Sequence, residues 1–266
     1  MAQAMLEVMI AAALAGGRAI RAVVEAGETA VRTKADASPV TAADEAADAA
    51  IAAILGRAVP AIPIVSEESA GESAPAQAGR FFLVDPLDGT KEFVAGSGEY
   101  TVNIALVEEG CAVAGVIHTP ALGRICVGMR GEGAREADVV DGAPSAWRAI
   151  RARPVPAHGR IAVASRRHAG PETEACLDRL AAATRISRGS SLKFCLLASG
   201  EADVYPRLAP TMEWDTAAGQ AILEAAGGRV ERLDGTPLRY GGPWRDGARP
   251  WGNPHFVAWG APSGSA

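Results

Sequence analysis

The segment that most restricts how this chain folds is Val84-Asp85-Pro86-Leu87-Asp88-Gly89-Thr90-Lys91-Glu92-Phe93. The apolar run leading into it, Phe81-Phe82-Leu83-Val84, predicts a buried strand. That strand ends in two aspartates beside Pro86, which fixes φ at about −65°, and Gly89, which opens backbone conformations closed to other residues. The sequence therefore predicts a sharp turn that aims both carboxylates at one spot at the strand's carboxyl end. Two acids held that close repel each other, and a bound cation offsets the repulsion. Oxygen-only ligands suit a hard ion such as Mg²⁺. Thr90 and the amides after Gly89 sit where the start of a short helix meets an anion.

A chain of 266 residues buries roughly three quarters of its unfolded surface, enough for one large domain or two closely joined halves. Hydrophobic content of 48% with 21% charged residues fits a soluble globular protein. A formal net charge of −5 leaves no broad basic field for a nucleic-acid polymer or an anionic membrane, so a small charged ligand is expected. Cys111, Cys126, Cys176 and Cys195 are dispersed and form no CxxC pair. This argues against thiol zinc sites and a disulfide framework, and for a reducing, cytoplasmic setting. The apolar stretch Val8 to Ala15 follows Glu7 rather than a basic segment. It is too short to span a bilayer and makes a poor signal peptide, so no integral membrane segment is expected. Residues 3–26 read instead as an Ala-rich buried helix. Among 26 basic residues only Lys34, Lys91 and Lys193 are lysines. Where so arginine-rich a chain keeps Lys, a compact ammonium is the expected requirement, although compositional drift gives the same pattern.

A second helix is expected from Thr41-Ala42-Ala43-Asp44, after an extended piece at Ala30 to Lys34 and a loop at Ala35 to Val40. Ile62 to Val65 reads as a strand and Ala70 to Gly79 as an exposed loop. Thr101 to Val107 alternates, with Val102, Ile104 and Leu106 on one face, and Cys111 to Ile117 and Arg124 to Met129 are further strands. The first half is thus two helices on a largely antiparallel sheet. Residues 131–159 read as irregular and hold the expected subdomain junction. Beyond it, Ile161 to Ala164 and Ala202 to Tyr205 read as strands, and Glu172 to Ala182, Leu192 to Ser199 and Thr216 to Ala226 as helices. His255 to Trp259 is a closing strand, so the second half reads as an α/β layer, with a frayed tail at Ala261 to Ala266. The expected division is an N-terminal α+β subdomain, residues 1–140, and a C-terminal α/β subdomain, residues 141–266.

Four further acids stand at element ends. Glu67 and Glu68 follow the strand Ile62 to Val65; a solvated loop explains them equally well. Asp215 opens the helix after Trp214, where it fits an N-cap with one oxygen while the other stays available to a metal. Asp44 sits in a first helical turn, where an acid favours the macrodipole.

Glu67-Glu68-Ser69, Asp85-Pro86-Leu87-Asp88-Gly89-Thr90 and Trp214-Asp215-Thr216-Ala217-Ala218-Gly219 occur in that order. Together they resemble the motifs of the Mg²⁺-dependent, lithium-sensitive phosphatases that include inositol monophosphatase, over about Lys34 to Gly228. The stretches Lys91-Glu92-Phe93, Gly189-Ser190-Ser191-Leu192-Lys193-Phe194-Cys195, Tyr205-Pro206-Arg207 and Pro210-Thr211-Met212-Glu213-Trp214 are similar to those of the 3′(2′),5′-bisphosphate nucleotidases of the CysQ type. Leu208-Ala209 departs from the aromatic and glycine expected there, which touches the nucleotide pocket and not the metal site.

The resemblance implies a layered αβαβα sandwich and a phosphomonoesterase that converts adenosine 3′,5′-bisphosphate to AMP and phosphate. It implies two or three Mg²⁺ held by Glu67, Asp85, Asp88, Asp215 and the Leu87 carbonyl, with water activated by the ions as nucleophile. Glu67 would polarise that water, Thr90 paired with Asp44 would orient it or accept its proton, and the Gly89 and Thr90 amides would hold the phosphate. Lys91, Ser190, Ser191, Lys193 and Arg207 would contact the second phosphate and ribose, unless the two serines simply cap the following helix and Arg207 pairs with a surface acid. His118, His158, His168 and His255 lack metal spacing and read as structural or exposed. The alternatives are an inositol monophosphatase or fructose 1,6-bisphosphatase activity, and a catalytically silent metal- or nucleotide-binding regulator. A monomer or a homodimer is expected.

Overall fold

The structure is a computed structural model that describes residues 2–27, 30–33, 39–70, 79–165, 170–242 and 249–263. Lys34, His168, most of the loops expected at 35–40 and 70–79, and the last three residues lie outside these. The elements in chain order are α1 (Ala2–Ala26), β1 (Val31–Thr33), β2 (Pro39–Thr41), α2 (Ala42–Ala58), β3 (Ile64–Ser66), β4 (Arg80–Asp88), α3 (Thr90–Val94), β5 (Thr101–Glu108), β6 (Cys111–Thr119), β7 (Arg124–Met129) and β8 (Gly133–Val140). They continue with β9 (Ala143–Pro144), β10 (Arg148–Ile150), β11 (Arg160–Ser165), α4 (Pro171–Arg179), β12 (Ala182–Arg188), α5 (Leu192–Ala198), β13 (Val204–Arg207), a 3₁₀ turn (Glu213–Asp215), α6 (Ala217–Ala225), β14 (Arg229–Arg232) and β15 (Phe256–Trp259).

The larger sheet runs β10-β8-β7-β6-β5-β4-β3, with β9 beside β8; the smaller runs β12-β11-β13-β15-β14. Every pairing in the larger sheet is antiparallel except β3 with β4. Alternation along its strands sorts side chains onto two buried faces. Phe82, Val84, Val102, Ile104 and Leu106 pack on α1 and α2 through Met9, Ile10, Ala47 and Ile51. On the other face, Leu83, Ala105, Val107 and Ile117 join Phe194, Leu197, Ala218 and Ile222 of α5 and α6, and then Tyr205, Val230 and Phe256 of the smaller sheet. Leu177 of α4 covers the outer side of that sheet with Val204 and Val257. Helix, sheet, helix, sheet and helix thus stack as the expected αβαβα sandwich. Close approach in the middle layer depends on two glycines. A Cβ on Gly115 would lie 2.3 Å from the Ala218 carbonyl oxygen, and one on Gly128 would lie 2.6 Å from the Ile222 Cα.

Several sequence expectations are corrected. Residues 131–159 contain β8, β9 and β10 rather than irregular chain. Their charged residues hide the strand pattern: Glu136 accepts from Arg124 at 2.7 Å and from Arg148 at 3.0 Å, both on strands flanking β8. The helix expected to reach Ala182 stops at Arg179; Ala181 turns left-handed (φ 50°), and Ala182 opens the unexpected strand β12. β14 was likewise not legible. Val40 belongs to β2 rather than to a loop, and the strand expected at Ala202 starts at Val204. β4 runs to Asp88, and the sharp turn expected around Pro86 is a bulge within the strand: Asp85 pairs with Asn103 and Asp88 with Thr101, so the partner strand supplies one residue fewer. Pro86 has no N–H to donate to the ladder, and the bulge places it where none is needed.

Candidate active site

Three elements deliver acids to the carboxyl end of β4. β3 runs parallel to β4 with Ser66 opposite Val84, and the Glu67 amide donates to the Val84 carbonyl at 3.0 Å, which sets Glu67 beside Asp85. Asp215 closes the 3₁₀ turn, its Oδ2 accepting from the Met212 amide at 2.8 Å. Glu67, Asp85 and Asp215 each offer a carboxylate oxygen, and these oxygens all lie within 4.8 Å of one another. The N-cap of α6 is Thr216 rather than Asp215, so the acid caps the turn before the expected helix.

Asp85 is 1% exposed. Its Oδ1 accepts from the Leu87 amide at 3.0 Å, while Oδ2 is buried with no hydrogen-bond partner. A buried carboxylate oxygen without a donor is costly. Burial, then the charges of Glu67, Asp88, Asp215 and Asp44, push the Asp85 carboxyl well above its ordinary range. Burial, Asp88 and Glu67 do the same to Asp215, against the Met212 amide and Arg207. An all-oxygen, anionic, partly unsatisfied cluster is what a hard divalent cation requires, so the residues present fit the implied metal.

Asp88 lies next to this group in a cage of donors. Its Oδ2 accepts from Ser190 Oγ at 2.6 Å and Ser191 Oγ at 2.9 Å, with Thr101 Oγ1 and Asn103 Nδ2 each at 3.5 Å. Ser191 holds the N-cap position of α5 but makes no side-chain cap, which removes capping as the explanation of that serine. Asn103 also donates to Ser191 Oγ at 2.9 Å, and Glu99 Oε2 accepts from the Gly189 amide at 2.7 Å. Gly189 leaves no room for a side chain, since a Cβ would fall 2.8 Å from Glu92 Cγ and 2.9 Å from the Glu99 carbonyl oxygen. Ser190 adopts a left-handed φ of 52°.

Asp44 is buried and forms a capping box with Thr41, its Oδ2 accepting from the Thr41 amide (2.7 Å) and hydroxyl (2.6 Å). Its Oδ1 accepts from Thr90 Oγ1 at 3.3 Å, so the expected Thr90–Asp44 pair is present. Gly89 precedes α3 with φ 91°, which turns the chain into Thr90. Leu87 buries its side chain, and Lys91 is exposed on α3. Lys193 is buried, donates to the Ser190 carbonyl, and lies 5.2 Å from the Tyr205 ring centroid. Burial lowers its pKa to about 8, against the pull of Asp88. Arg207 is buried rather than paired at the surface, with Nη2 donating to the Pro210 carbonyl at 2.9 Å and a buried Nε without a hydrogen-bond partner.

Thr101, Asn103 and Glu99 were missed from the sequence. Thr101 and Asn103 were visible as polar residues inside a strand that is otherwise apolar. Ser66, whose hydroxyl donates to Asp48 Oδ1 at 2.5 Å just before Glu67, carried no such signal. Among the described histidines, His118 is buried with Nδ1 3.2 Å from the Ala13 carbonyl, and His158 and His255 are exposed.

A five-layer sandwich that gathers carboxylates at its strand ends has the architecture of a metal-dependent phosphatase. The inositol monophosphatase family model matches residues 1–252, and the chain belongs to that family. It is 44% identical over 211 residues to the 3′(2′),5′-bisphosphate nucleotidase CysQ of Shigella flexneri, covering 79% of this chain and 82% of the relative. The same enzyme of Salmonella typhimurium is 44% identical over 208 residues, 78% and 81% of the two chains. Among solved structures, CysQ from Bacteroides thetaiotaomicron superposes with a TM-score of 0.82 at 39% identity over 97% of both chains. An inositol monophosphatase from Zymomonas mobilis gives 0.74 at 26% identity, over 97% of this chain and 93% of that one. No helix among the described residues is long and apolar enough to cross a membrane.

Proposed function

We propose that this protein is a Mg²⁺-dependent phosphomonoesterase that removes the 3′-phosphate of adenosine 3′,5′-bisphosphate. The observation that carries the reading is the orphaned Asp85 Oδ2 inside a cluster of three carboxylates, set beside the Ser190–Lys193 turn. Glu67, Asp85, Asp88, Asp215 and the Leu87 carbonyl would hold two or three ions. Bound there, the ions neutralise phosphate charge and strengthen water as a nucleophile. Glu67 orients the attacking water from the edge of the cluster. Thr90 Oγ1 donates a hydrogen bond to Asp44 Oδ1, so its lone pairs remain open to accept a hydrogen bond that orients that water. The Gly89 and Thr90 amides bind the scissile phosphate. Lys91, Ser190, Ser191, Lys193 and Arg207 bind the second phosphate and the ribose, supplying positive charge that an inositol monophosphate does not need. Residues 1–140 and 141–266 act as two subdomains, with Asp215 and the Ser190–Lys193 turn brought by the second. The protein works in the cytoplasm as a monomer or homodimer.

The test is a substrate panel with Mg²⁺ titration. The bisphosphate nucleotide should show the highest kcat/KM, activity should vanish in EDTA, and lithium should inhibit. A higher kcat/KM for inositol 1-phosphate or fructose 1,6-bisphosphate would replace this reading with the alternative. Intact metal binding without turnover of any of the three would point to the silent regulator.

A further inference from the structure

The fold brings together two cysteines that the sequence keeps apart. Cys126 on β7 and Cys195 on α5 are close enough that the Cys195 thiol raises the pKa of Cys126, and both line a cavity of about 360 Å³ together with Arg124, Glu136, Arg188 and Leu196; Cys126 Sγ donates to Glu136 Oε2 at 3.8 Å. Cys195 is half-buried and Cys126 is 5% exposed. Their position follows from strand register. Asp85, Asn103, Ile117 and Cys126 are successive cross-strand partners on β4, β5, β6 and β7, one row on one face of the larger sheet. Helix α5 lies over that row. Ser191 stands above Asn103, which donates to its hydroxyl, and Cys195, one helical turn later on α5, lines the same cavity as Cys126. A soft-metal site is not indicated, because the neighbouring carboxylate of Glu136 is already held by Arg124 and Arg148.

We propose that Cys126 and Cys195 are a modification site for low-molecular-weight disulfides, which convert the pair to an internal disulfide that fastens α5 to the sheet. The Cys195 thiolate attacks one sulfur of RS–SR; the S–S bond breaks, a mixed disulfide forms and RS⁻ leaves, taking a proton from solvent. Cys126 then loses its proton to solvent and attacks Cys195 Sγ, expelling the second RS⁻. Two protein thiols are oxidised and one external disulfide is reduced to two thiols. Cys195 goes first because it is the more exposed. The neighbouring Cys195 thiol, burial and Glu136 push the Cys126 thiol up, against Arg124, so bridging runs faster at pH 9 than at pH 7. The new bond sits one turn from Ser191, whose hydroxyl reaches Asp88 Oδ2 at 2.9 Å and the Asp215 carbonyl at 2.8 Å. Fixing α5 therefore disturbs the cage around Asp88, and turnover of any phosphoester the enzyme accepts falls.

The full chain, with Cys111→Ser to remove the other half-exposed thiol, is treated with oxidised glutathione and mapped by mass spectrometry without reduction. A peptide pair linked through Cys126 and Cys195 is expected, with a several-fold loss of kcat restored by dithiothreitol. Cys195→Ser and Cys126→Ser should keep basal turnover and ignore the oxidant; Cys126→Ala substitutes if the serine variant does not fold. Absence of the linked peptide overturns the site whatever the substrate proves to be. An equal loss of kcat in Cys195→Ser, or a linked enzyme with unchanged kcat, overturns its coupling to turnover.

Discussion

Asp85 and Asp203 are both buried acids, and the fold treats them in opposite ways. Asp203 is 0% exposed, yet both its oxygens are bonded: Arg153 donates Nε at 2.7 Å and Nη2 at 2.8 Å, and the Ile161 amide donates at 2.6 Å. Burial pushes its carboxyl up, but the Arg153 and Ile161 hydrogen bonds outweigh this and hold it below the usual value. Asp85 has one amide donor, one orphaned oxygen and only acids as charged neighbours raising its carboxyl. An acid with its own arginine ties two segments together; an acid left among other acids weakens the empty fold and is satisfied only by what binds.

Substitutions should separate the two. Asp85→Asn is expected to lower kcat/KM by roughly 10³-fold or more, because it removes a charge that binds the catalytic cations. Its metal-free melting temperature should equal or exceed that of the parent, since the repulsion falls; a large drop in Tm would make Asp85 a structural residue. Asp203→Asn should do the reverse. It leaves Arg153 unmatched and should cost about 2–3 kcal/mol in denaturant unfolding, a value reduced because Arg153 is itself 39% exposed, with kcat/KM little changed. The smallest effect concerns the anion-binding side. Lys193 titrates at about 8, so its ammonium is present below that pH and lost above it. KM for the bisphosphate substrate should rise by about ten-fold as pH passes through this value, and Lys193→Met should have the high KM at every pH. A KM that does not change with pH in the parent enzyme would remove Lys193 from the binding site.

The contrast also explains what was legible in the sequence. Asp85 stood out because it ends an apolar strand three residues from a second acid, whereas Glu67 and Asp215, which a solvated loop and an N-cap explain locally, were legible as ligands only through the motifs around them. Periodicity gave the two helices on an antiparallel sheet and the later α/β layer, and the resemblance gave the αβαβα stacking. Strand β8 was hidden because the arginine and glutamate on its edges satisfy one another only after the strands pair. The bulge at Pro86 was hidden because it is a property of two strands in register. Asp203, the acid that ties segments together, drew no attention at all, because its partner Arg153 is distant in sequence and neither residue forms a motif. The cage around Asp88 needed Thr101 and Asn103 from one strand and Ser190 and Ser191 from a turn far along the chain, a convergence visible only in three dimensions.

The most direct test titrates Mg²⁺ into metal-free protein by calorimetry, comparing the parent, Asp85→Asn and Asp203→Asn under one buffer. Saturable binding to the parent and to Asp203→Asn, weakened by about ten-fold or more in Asp85→Asn, is the expected result. Equal binding to the parent and Asp85→Asn would contradict the assignment of this cluster as the cation site.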